Sequence, residues 1–277
     1  MQDAEQGSTG ANPYSTSATT LEDAAIASGP FIPGGRVVDA GRGTSWLGEA
    51  FDLFKKNPGI WIANVIILFV ILCVLAMVPF LGSLAMYLLL PVFSGGMMLG
   101  CHSLANGGEL EIEHLFAGFK QNTAKLVLVG VFYLIGMVVI MVVIGALSFA
   151  IIGGASLTGM LAGGAGGAGM MSAMMMGGFG IGLLLILLIS LALSIPLMMA
   201  IWFAPVLVIL QNLEPLDAMK MSFHACLKNF VPFLVYGVVY FVLAIVATIP
   251  FGLGWLVLGP MVIASAYTSY RDIFTQA

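Results

Sequence analysis

Few residues in this 277-residue chain have the types that do chemistry. The best placed are two thiol–imidazole pairs, Cys101-His102 and His224-x-Cys226, with His114 near them in register. Four such ligands suffice for a tetrahedral zinc site. Neither pair has a strong zinc spacing, so interfacial histidines and buried thiols are the plainer reading. A second constellation runs from Gly153 to Gly180, where Met160, Met170, Met171, Met174, Met175 and Met176 stand among glycines. Thioethers are soft ligands suited to Cu(I), but methionines also fill flexible apolar surfaces. The stretch holds no His or Cys, and a re-entrant, pore-lining segment is a further option.

The long apolar runs carry no Asp, Glu, Lys, Arg or His in their depths. Proton relays, ion-coupled carriers and intramembrane hydrolases depend on such groups. Asn64, Ser94, Tyr133, Ser148, Ser190, Ser194 and Thr248 suit interhelical hydrogen bonds instead. Gly96 and Gly100 form a small-xxx-small pair that marks close helix packing. There is no nucleotide loop or catalytic triad. The expectation is a protein without catalytic residues, cofactor or metal, and so not an enzyme.

Composition names the solvent that must position these residues. Charged residues make up 8% and apolar residues 60%, where globular chains carry roughly 25% charge. No charge occurs between Lys125 and Glu214. One charge at the centre of a membrane helix costs about 2.5–3.5 kcal/mol, which cancels several leucines. Six apolar segments are long enough to cross a bilayer, near 59–79, 83–104, 124–152, 181–210, 230–250 and 254–270. All nine basic residues flank the same ends of these segments. That bias predicts a cytoplasmic location for those ends and for both termini. Cys73 within a span, with Cys101 and Cys226 at cytoplasmic ends, argues against disulfides.

The net charge of −4 arises in residues 1–35, which hold Asp3, Glu5, Glu22 and Asp23 and no Lys or Arg. This segment lacks a basic n-region and an apolar h-region, so it does not read as a signal peptide. It predicts a disordered, acidic cytoplasmic tail ahead of a membrane domain over 36–277. No basic patch suits nucleic acid.

One phrase occurs three times: Phe51 to Asn57, Phe116 to Asn122 and Phe223 to Asn229. Each ends a short amphipathic helix and opens an apolar run. The apolar faces hold Trp46, Leu47, Ala50, Phe51 and Phe54, then Ile112, Leu115, Phe116 and Phe119, then Leu216, Met219, Phe223, Cys226 and Leu227. Such helices lie in the headgroup plane, pack on the bundle, or do both. Asn57, Asn122 and Asn229 predict N-caps of the following spans. Each second span carries a proline, Pro91, Pro205 or Pro260, predicting intramembrane kinks. The fold class is therefore all-α and polytopic. Six spans form three parallel-repeat hairpins over about 45–105, 112–211 and 215–274, with a Gly/Met-rich extracytoplasmic loop at about 153–180.

The string Arg36-Val37-Val38-Asp39-Ala40-Gly41-Arg42-Gly43, followed by Trp46, resembles the opening of a family of uncharacterised bacterial inner-membrane proteins. So do Pro91-Val92-Phe93-Ser94-Gly95-Gly96, Trp202-Phe203-Ala204-Pro205 and Ser269-Tyr270-Arg271-Asp272-Ile273-Phe274. The three-hairpin plan is also loosely similar to the membrane domain attached to some glycerophosphodiester phosphodiesterases, without their catalytic domain. The resemblance implies a fold and an inner-membrane location, and no activity. The expected function is a non-catalytic, membrane-organising or partner-binding component that meets membrane lipids and a membrane-protein partner or a second copy. The alternative is a transporter or channel for a lipid or uncharged solute.

Overall fold

Turns and charge breaks divide the chain into helices. The computed structural model describes residues 30–161 and 178–276, with side chains over 30–150 and 181–276. The elements are α1 (Arg42–Lys56), α2 (Pro58–Ala76), α3 (Leu81–Ala105), a 3₁₀ helix (Ile112–Phe119), α4 (Thr123–Leu161), α5 (Gly178–Trp202), α6 (Ala204–Gln211), α7 (Pro215–Lys228), α8 (Phe230–Thr248) and α9 (Trp255–Phe274). No strand forms among the described residues, and Phe31 and Thr275 make an isolated bridge.

Five segments are long and apolar enough to cross a membrane: α2, α3, α4 up to Ala150, α5 continuous with α6, and α8. The sixth apolar segment of the sequence forms α9, which is not among them. Its second half is rich in hydroxyls, and Ser265, Thr268 and Ser269 are buried against the protein. Protein contact at those positions replaces the lipid contact that hydropathy measures.

Near Pro91, Pro205 and Pro260 the helices change surroundings. Ahead of Pro91, α3 is mostly exposed or half-buried; from Pro91 to Cys101 nearly every residue is buried. The same change occurs at Phe203, between α5 and α6, and by Ala264 in α9. The inner halves of α3, α6 and α9 meet in one core, with the rings of Phe203 and Phe274 5.3 Å apart and Gln211 Nε2 donating to Tyr270 Oη at 2.8 Å. Helices α3 and α9 run continuously through Pro91 and Pro260, and the backbone breaks only at Phe203, ahead of Pro205. At Pro205 the missing N–H falls in the first turn of α6, where it costs nothing.

Two boundaries differ from the sequence expectation. Helix α4 runs to Leu161 and α5 starts at Gly178, so helix takes both ends of the 153–180 stretch. The Met-rich centre, 162–177, lies outside the described residues. An α-helix over 123–161 spans about 58 Å, far more than the roughly 30 Å hydrocarbon core. At the other end, residues 30–36 lie along the end of α9, through Ile32 N to Phe274 O at 2.7 Å and Arg36 N to Ile273 O at 2.9 Å. Gly35, at φ 67°, passes so close to Ile273 that a Cβ would meet its side chain.

The candidate site at the charged end of the bundle

All nine Lys and Arg residues lie on α1, the 3₁₀ helix, α7, or the segments and helix turns beside them. At each junction a lysine and an asparagine reach backbone carbonyls of a neighbouring segment. Lys56 Nζ donates to Leu104 O at 2.7 Å, and Asn57 Nδ2 to Leu110 O at 3.3 Å, ahead of the 3₁₀ helix. Lys125 Nζ donates to Asn212 O at 2.9 Å, and Asn122 Nδ2 to Val208 O at 3.2 Å, ahead of α7. Lys228 Nζ donates to Gly34 O at 3.2 Å, and Asn229 Nδ2 to Arg36 O at 3.0 Å, ahead of α1.

The sequence predicts the asparagines as caps, and their geometries differ. Asn57 Oδ1 accepts from Ile60 N at 3.5 Å, with Pro58 in the first turn. Asn229 Oδ1 accepts from Val38 N at 2.9 Å and makes no cap bond to α8. Asn122 takes a left-handed conformation at φ 53°, which Asn tolerates better than most residues. Cross-segment bonding is the feature that sequence spacing missed. Three polar residues at equal places in a repeated phrase were its signal.

Packing follows the same circuit. The second half of α3 lies on the 3₁₀ helix, α5 and α6 lie on α7, and α9 lies on α1. Gly96 permits the first contact, because a Cβ there would strike the backbone of His114 and Leu115; Gly118 faces the Val92 carbonyl in the same way. The small-xxx-small pair thus faces the 3₁₀ helix, with Gly100 against Leu110 and His114. The sequence predicts an α-helical stripe at Ile112, Leu115, Phe116 and Phe119. Here the buried residues are Leu115 and Gly118, three apart, while Ile112, Phe116 and Phe119 are exposed. A period of three is the 3₁₀ repeat, and the tight seat on α3 selects it.

In α1 the buried set is Trp46, Leu47, Ala50, Leu53 and Phe54, and Phe51 is exposed. Phe223 on α7 is half-buried, while Leu216 and Leu227 are exposed. Each short helix therefore packs one side on the bundle and leaves apolar side chains outward.

The strongest electrostatics join the two ends of the chain. Asp272, 7% exposed on α9, accepts from Arg42 Nε at 2.6 Å, Trp46 Nε1 at 2.8 Å and Arg36 Nη2 at 3.0 Å. Glu49 bridges Arg42 and Arg271 at 2.8 and 3.1 Å. Burial alone would raise the Asp272 carboxyl, but the donors from Arg42, Trp46 and Arg36 outweigh it and hold it below the usual carboxylate range. Hydrogen bonding to Asp272 likewise raises the Arg42 guanidinium. The Arg36–Trp46 and Ser269–Phe274 strings are thus halves of one clamp.

A cleft of about 520 Å³ lies beside α3 and the 3₁₀ helix, lined by His102, Glu111, Glu113, His114 and Lys120 among others. Its imidazoles serve structural bonds. His114 Nδ1 accepts from Glu111 N at 3.0 Å, and His102 lies 3.0 Å from Tyr267 Oη and 3.1 Å from Asn106 Nδ2. Among the described residues, no three of His, Cys, Asp and Glu gather in a metal-holding group. Cys226 is buried, its Sγ 3.6 Å from Met199 O, and burial pushes its thiol up to about 12. A thiol so raised is neutral at physiological pH and a poor nucleophile.

Fold and site together define a class: a helical, multi-pass membrane protein with its polar groups gathered at one end. A probable inner membrane protein of Burkholderia thailandensis is 28% identical to the chain over 260 residues, covering 86% of this chain and 92% of that protein. No protein-family profile matches the chain, and no solved structure matches it.

Proposed function

We propose that the chain is a six-span, non-catalytic component of the bacterial inner membrane that organises lipids or holds a membrane partner. Three hairpins are arranged as parallel repeats about an axis along the membrane normal, and their charged ends face the cytoplasm. The cyclic order of the Lys/Asn bonds and of the short-helix contacts supports the repeat. The basic residues at one end support the orientation, and the similarity to a probable inner membrane protein supports the location.

The observation that carries the function is the outward row of apolar side chains on all three short helices, Phe51, Phe116, Phe119, Leu216 and Leu227. Helices at headgroup depth with one face on protein and one apolar face outward bind interfacial lipid or the helices of a partner. A photo-crosslinking residue at Phe51, Phe116 or Phe119, introduced in cells, captures lipid or a membrane protein. The same residue at exposed Glu109 captures far less. Equal capture at all four positions contradicts the reading. A topology reporter fused near Gly167 reads extracytoplasmic, and a cytoplasmic signal reverses the orientation.

A further inference from the structure

The three hairpins do not close on one another equally. Helix α3 packs along α4, with Gly95 against Leu126 and Gly130 against Leu88. Helix α9 packs on α2, with Gly259 against Val65. At the corresponding seam the backbones of α5 and α8 stay apart, and Trp202 alone reaches across near the charged end, its ring 5.9 Å from Phe233 and 5.6 Å from Tyr236. A groove of about 690 Å³ runs between them, walled by Met198 and Trp202 on one side and Phe233, Gly237 and Phe241 on the other.

Three properties name an occupant. Both walls belong to segments apolar enough to span the membrane, so the groove opens to hydrocarbon. Its lining follows α8 from Phe230 to Val242, about 18 Å of helix against about 15 Å for one leaflet of a roughly 30 Å core. Of the polar side chains in the wall, Tyr236 Oη is engaged with Ser265 Oγ at 2.7 Å, Trp202 Nε1 with Ser269 Oγ at 3.5 Å and Cys226 Sγ with Met199 O, and the Tyr240 hydroxyl is the one polar group left over. A polar solute would lose its hydration there with a single hydroxyl to replace it. A hydrocarbon chain loses nothing.

We propose that the α5–α8 groove holds one acyl chain of a phospholipid from the leaflet on the charged side, retained as part of the protein. The inference stands on α5 and α8 spanning the bilayer and on no other part of the functional reading. Gly237 supplies the test, because a Cβ built there meets no atom within 4 Å. Gly237→Leu adds a side chain to the groove wall from a Cβ position free of contact, and leucine also favours helix over glycine. Gly145→Leu, at an exposed glycine of α4 with equally open space, is the control.

Native mass spectrometry of the full chain, extracted from membranes in mild detergent, reads the outcome. The wild type and Gly145→Leu carry a phospholipid adduct, and Gly237→Leu loses it while its thermal midpoint in detergent stays level or rises. That midpoint separates exclusion of lipid from failure to fold. A wild type without phospholipid, or an adduct undiminished in Gly237→Leu, overturns the proposal. So does a second copy or another protein held by the wild type and released by Gly237→Leu, since the seam would then be a protein interface.

Discussion

Replacing Asp272 leaves two guanidiniums and the Trp46 indole without their shared acceptor. Breaking a buried ion pair from one side costs about 3–5 kcal/mol. Arg36 and Arg42 retain 39% and 36% exposure and can turn to water, so Asp272→Ala should cost about 3 kcal/mol, read as a lowered unfolding midpoint in detergent. The pH dependence has a definite sign. Because the native carboxyl lies below its unfolded value, its stabilisation is complete above about pH 3.9 and is lost as pH falls through the lower native value. The acid limb of an unfolding titration should therefore flatten in Asp272→Ala. Cys226 offers a second residue-scale check: maleimide should leave it unmodified in the folded protein and label it after denaturation.

Among the elements, the 3₁₀ helix depends most on a single contact. A side chain at Gly96 meets backbone that cannot rotate away, so Gly96→Leu should cost about 3 kcal/mol, while Gly145→Leu stays within about 0.5 kcal/mol. Parallel denaturation of the two variants decides it. The same contact shows where sequence reading stops. Ile112, Leu115, Phe116 and Phe119 satisfy an α-helical period, and only the seat on α3 makes Leu115 and Gly118 the buried pair. The span segments were legible because lipid enforces apolarity at every exposed position, as in α2 and α8. The polar half of α9 was less so, since its hydroxyls face protein. Phe51 and Leu53 show the same limit in α1, where several apolar residues compete for one buried face.

Over the whole molecule, the Lys56/Asn57, Asn122/Lys125 and Lys228/Asn229 pairs hold the short helices around a core formed by the inner halves of α3, α6 and α9. The outer spans spread hydrocarbon surface toward the bilayer. The tripled phrase marked the three Lys/Asn junctions, but which segment each one reaches depends on carbonyls that carry no sequence signature. The Asp272 clamp was hidden for a related reason: its partners lie at opposite ends of the chain. The proposed role is to hold membrane components, and the competing function is passage of a lipid or uncharged solute. Reconstitution into liposomes with a panel of uncharged solutes and a fluorescent phospholipid separates the two most directly. The account predicts efflux and lipid scrambling no faster than in empty vesicles, and transport of any member of the panel above that background would contradict it.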